Sequence, residues 1–63
     1  MDWRSEIVGL LHENKIKQKE LAEEIGVSEI WVSYVINGKE NPSGMEQRMR
    51  DAIKRISEKR AEE

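Results

Sequence analysis

The stretch Gln18-Lys19-Glu20-Leu21-Ala22-Glu23-Glu24-Ile25-Gly26-Val27-Ser28-Glu29-Ile30-Trp31-Val32-Ser33-Tyr34-Val35-Ile36-Asn37-Gly38 decides the fold. Leu21, Ala22 and Ile25 fall on one face of a helix over about 18–25. Gly26 follows the last periodic residue and suits the left-handed conformation that closes a helix, where a Cβ is strained. Ser28 is a good N-cap for a further helix, which runs to about Ile36 and stops at Asn37-Gly38. Gly26-Val27-Ser28 is too short a connection to lay two helices antiparallel, so they must cross steeply, as a helix-turn-helix unit does. Ala22 is small enough for a close crossing, Val27 plugs the corner, and Val32, Val35 and Ile36 seal the later helix inward.

Outward from this unit the same spacing continues. Trp3, Ile7, Leu10 and Leu11 mark a first helix with Asp2 as N-cap, ending near Glu13. Lys39 to Pro42 reads as a loop. Ser43-Gly44-Met45-Glu46 has the form of a capping box, so a last helix is expected from about Gly44. Met45, Met49, Ala52, Ile53 and Ile56 form its apolar stripe, and beyond Ile56 the turns are expected to be solvated and to fray toward Glu63. The expectation is an all-α chain of 63 residues, one domain over 1–63, with the helix-turn-helix at about 18–37.

Composition excludes several classes. There is no cysteine for a disulfide or thiolate metal site, and no apolar run exceeds three residues, so no membrane span is expected. The opening Met1-Asp2-Trp3-Arg4 lacks the apolar stretch of a signal peptide, which points to the cytoplasm. No nucleophile–base pair, phosphate loop or metal set is present, so no enzyme, cofactor or small-molecule substrate is expected. His12 has no partner at ligand spacing and reads as a surface residue near a helix end. The net charge of −2 argues weakly against a polyanion partner, but the distribution is uneven. Arg48 to Arg60 holds six basic and two acidic residues, a local charge of +4, and Lys15, Lys17 and Lys19 form a second strip. Glu20, Glu23 and Glu24 cluster apart and are expected to face solvent.

Gln18, Leu21-Ala22, Ile25-Gly26-Val27-Ser28, Val32-Ser33, Val35 and Asn37-Gly38, with Pro42 behind them, resemble the lambda-repressor-like helix-turn-helix family of Cro/CI or XRE type. The resemblance covers about Ile16 to Ile53. It implies a compact domain of four helices, or five where the family adds another, that binds operator DNA. The third helix would enter the major groove, and two copies, a homodimer on DNA, would bind a near-palindromic site. Lys17 departs from the pattern, standing where the family usually has Thr or Ser as N-cap.

Helix geometry makes an independent argument. With Val32, Val35 and Ile36 inward, the opposite face of the third helix carries Ile30, Ser33, Tyr34 and Asn37, with Glu29 and Trp31 at its flanks. Ile30 suits thymine methyl groups, Ser33 and Tyr34 offer hydroxyls, and Glu29 can accept from a cytosine amino group. Trp31 suits the sugar-phosphate backbone. Lys17, Gln18, Ser28, Asn37 and Lys39 complete the candidate DNA-binding set at the helix ends. Against this stands a bland reading, in which Trp31 and Tyr34 fold onto the core and the basic run of the last helix is a solvated face. The leading expectation is a sequence-specific, repressor-like regulator of phage or mobile-element style. The alternative is a protein-interaction module on the same fold, of antitoxin or antirepressor type, without DNA binding.

Overall fold

Asp2 opens the first helix, its carboxylate accepting from the Arg4 backbone N–H at 3.3 Å. In this computed structural model, which describes residues 2–62, that helix is α1, Trp3–Glu13. Met1 and Glu63, and with them the two ends of the expected 1–63 domain and its final fraying residue, lie outside the described residues. Three more helices follow: α2 (Gln18–Ile25), α3 (Glu29–Ile36) and α4 (Met45–Glu62). The described residues form no strand.

The ends of α1–α3 follow local chemistry. At the end of α1, Lys15 takes φ 55, and the Ile16 N–H returns to the Leu11 carbonyl at 2.8 Å. Gly26 closes α2 at φ 92, and the N–H groups of Gly26 and Val27 both reach the Ala22 carbonyl, at 2.8 and 3.0 Å. Those two bonds turn the chain sharply enough for Ser28 to cap α3, its hydroxyl accepting from the Trp31 N–H at 3.1 Å. The start of α4 differs from the capping box expected at Ser43-Glu46. Gly44 takes φ 75, whereas an N-cap is normally extended, and the helix begins at Met45. The Met45 N–H reaches the Pro42 carbonyl at 3.4 Å, and the Glu46 carboxylate accepts from Arg50 Nε at 3.0 Å instead of turning back.

One core joins all four helices. Ile7 of α1, Leu21 of α2, Val32 and Val35 of α3, and Met49 of α4 are fully buried, and Ile16 of the α1–α2 loop joins them. Helix α2 packs on α3 and α4, and α1 packs on α4 and α3. Ile25 and Ile36, expected inside, are only half-buried at the edge of that core.

One expectation about charge is corrected. The Glu20-Glu23-Glu24 cluster does not simply face solvent: Glu24 accepts from Arg55 at 3.1 Å and Lys59 at 2.9 Å, and Glu20 pairs with Arg60 at 2.6 Å. The turns of α4 past Ser57 are exposed, as expected, and are helical to Glu62, with Lys59 and Arg60 paired to Glu24 and Glu20 of α2. Arg60 also donates to the carbonyls of Asn14 and Lys15, at 2.6 and 3.0 Å, where α1 has run out of N–H partners.

Candidate nucleic-acid interface

Eight residues give α3 a length of about 12 Å, little more than two turns. Its inner stripe is Val32 and Val35, so its outer stripe is fixed by the period. Ile30 and Tyr34, at i and i+4, are 64% and 43% exposed, and with Val8 they are the exposed large apolar residues of the described chain. An isolated exposed apolar residue needs no explanation, but two adjacent ones on a short helix form a patch. Ser33 lies half-buried beside them, and its hydroxyl accepts from the exposed Asn37 amide at 3.2 Å. Glu29 is exposed at the first turn.

Trp31 is not free at the flank. It is half-buried and packs against the core. Tyr34 does the reverse and stays outward. The Ser28 hydroxyl accepts the capping bond and retains its own proton for a further partner.

Two exposed lysines flank the helix-turn-helix segment, Lys39 after α3 and Lys17 before α2. Lys39 folds back so that its ammonium stands 5.5 Å from the centre of the Tyr34 ring, while its backbone N–H reaches the Tyr34 carbonyl at 2.9 Å. At the start of α2, Lys17 is exposed and Gln18 half-buried. Lys17 has no acceptor atom with which to cap α2. Only the reciprocal bond forms, from its own backbone N–H to the Glu20 carboxylate at 3.3 Å. Lys17, Lys19 and Lys39 take part in none of the ion pairs of the described residues.

The cations of α4 are differently placed. Arg50 is bound to Glu6 at 2.6 Å and to Glu46 at 2.9 Å, and those two carboxylates, Glu6 first, raise its pKa above the ordinary arginine value. Lys59 and then Arg55 hold the Glu24 carboxyl below the usual range. Four of the six basic residues between Arg48 and Arg60 are therefore engaged within the fold. Arg48 and Lys54 remain exposed outside these pairs.

Sequence reading missed Arg4. Its guanidinium reaches the end of α3, donating to the Val35 carbonyl at 2.7 Å across a separation of 31 residues. No local signal announces such a contact. No group of three His, Asp or Glu among the described residues could hold a metal ion, and no described helix is long and apolar enough to cross a membrane. Comparison with protein-family models, curated proteins and solved structures finds no match.

Proposed function

We propose that the chain is a sequence-specific DNA-binding regulator of the lambda-repressor-like type, with α3 as the helix that enters the major groove. The observation that carries the reading is the outward Ile30/Tyr34 pair, joined by Ser33, Asn37 and Glu29, with Lys39 against the Tyr34 ring. An α-helix fits the major groove, where apolar side chains meet thymine methyls and hydroxyls or carboxylates meet base edges. Lys39 beside that face, and Lys17 at the start of α2, would neutralise phosphates and fix its register. A regulator that binds as a dimer would have half-sites about 34 Å apart.

The test starts with selection of bound sites from a random duplex pool. Ile30→Ala and Tyr34→Ala should each weaken binding to the selected site about tenfold, the equivalent of about 1.4 kcal/mol. Melting temperature should hardly change, since both side chains are exposed. Affinity should fall steeply with salt, as released counterions require. Unchanged affinity and selectivity in both variants would rule out α3 as the reader.

A second reading has its own observation. Glu29 and Ile30 form an acidic, apolar tip, and the net charge is −2, both better suited to a protein partner than to phosphates. On this reading the chain is an interaction module of antitoxin or antirepressor type. Failure to be retained on heparin or random duplex at low salt, with salt-insensitive binding to a protein, would favour it.

A further inference from the structure

The N-terminal residues Asp2, Trp3 and Arg4 converge on the far end of α3. Arg4 Nε donates to the Val35 carbonyl at 2.7 Å, and Nη2 donates to the Glu40 carbonyl at 3.4 Å and to Asn41 Oδ1 at 3.0 Å. One side chain thus joins the last turn of α3 to the loop that follows it. Its own position is fixed from two sides. The guanidinium carbon stands 4.8 Å from the centre of the Trp3 ring, and Nη1 lies 3.5 Å from the Asp2 carboxylate. The Arg4 side chain is only 16% exposed. The loop is pinned again from the other direction, where the Tyr34 carbonyl takes the N–H groups of Lys39 at 2.9 Å and Glu40 at 3.4 Å.

We propose that Arg4 is the positioning residue of the candidate DNA face, setting where Asn37 and Lys39 stand relative to Ile30 and Tyr34. The role rests on the DNA-binding reading. Three acceptors on two segments need a planar donor with a fixed fork, which arginine has and lysine lacks. A cation beside the last carbonyls of a helix is also favoured by the helix dipole. The exposed face of α3 spans only two turns, so its C-terminal contacts carry much of the register on a duplex. Phosphate contacts hold register and base contacts carry sequence. A loosened α3 end would therefore lose selectivity while leaving general attraction to polyanions intact.

The experiment uses the full chain with Arg4→Met, Arg4→Lys and Asn41→Ala, each studied well below its melting temperature. Affinity is measured for the selected site and for a random duplex, and amide hydrogen exchange is followed without DNA. In Arg4→Met, site affinity should fall about tenfold, the loss of roughly one good contact, while random-duplex affinity stays within about twofold. The Lys39 and Glu40 amides should exchange faster than in the wild type, and the Leu21 and Ala22 amides should not. Arg4→Lys, which keeps the charge and stem should Arg4→Met fail to fold, should recover little selectivity. Asn41→Ala should shift the same readouts less. Parallel loss on both duplexes, or unchanged exchange at Lys39 and Glu40, overturns the proposal. A wild type that discriminates no sequence overturns the DNA reading and this role with it, and the exchange data then still report separately whether the clamp exists.

Discussion

Lys15 is the described non-glycine residue with positive φ, at 55°. It holds the place after a helix where glycine is usual, and a side chain there costs about 1–2 kcal/mol. Glycine would relieve that strain but would also loosen the unfolded chain, an opposing term of about 0.4–1 kcal/mol. Lys15→Gly should therefore stabilise the fold by about 0.5–1 kcal/mol, read as a raised denaturant midpoint. A midpoint that falls would mean the Lys15 side chain contributes more than its backbone strain costs. Gly26 is the contrasting case. Its place at the end of α2 could be read from the amphipathic pattern that stops just before it, and φ 92 agrees. The break after α1 at Asn14-Lys15 could be read as well, but not the positive φ of Lys15, because the residue type there contradicts the conformation it adopts.

At the scale of elements, α2 begins without a side-chain cap. Lys17→Ser supplies the missing acceptor and should add about 1 kcal/mol of stability. It also removes a cation, so the logarithmic salt dependence of DNA binding should become shallower by about one phosphate contact. Thermal melts and affinity at several salt concentrations test both halves, and equal losses in stability and binding would refute the trade-off.

The contact of α2 with α4 should respond to acid. The Lys59 and Arg55 bonds lower the folded-state pKa of Glu24 below its ordinary value of 4.5. A depressed carboxyl contributes its stabilisation above the unfolded pKa and loses it as pH falls through the folded one. The melting-temperature gap between wild type and Glu24→Gln should therefore be widest near neutrality and close in acid. A gap that is constant with pH would mean these exposed pairs add nothing, as many surface pairs do. Sequence periodicity located all four helices, since burial of one stripe per helix is a local property. It did not reveal that Glu20 and Glu24 meet Arg60, Arg55 and Lys59, because those partners are 31 to 40 residues away and depend on how the helices pack. The Ser43-Glu46 pattern misled for a related reason: Gly44 adopts φ 75, which a capping motif alone cannot foresee.

At the scale of the molecule, one small core carries the stability. Met49 is fully buried in the second turn of α4. Met49→Ala should cost about 2–5 kcal/mol through lost burial and a residual cavity. Small domains are only marginally stable, so this variant should be largely unfolded at 37 °C by circular dichroism. A cooperative melt close to that of the parent would show that the core can close over the gap. The outward Ile30/Tyr34 surface was legible because a short helix with two inward valines leaves few other orientations. The half-burial of Trp31 was not, since a flanking position can turn either way.

The engagement of Arg50, Arg55, Lys59 and Arg60 with carboxylates of their own chain has a bearing on search. Side chains already neutralised have few mobile ions left to liberate, so they lend little glue to an arbitrary stretch of nucleic acid. If α3 reads bases, the long helix behind it offers few cations beyond Arg48 and Lys54, dwell times on wrong sequences are short, and discrimination is left to the narrow edge where α2 and α3 meet.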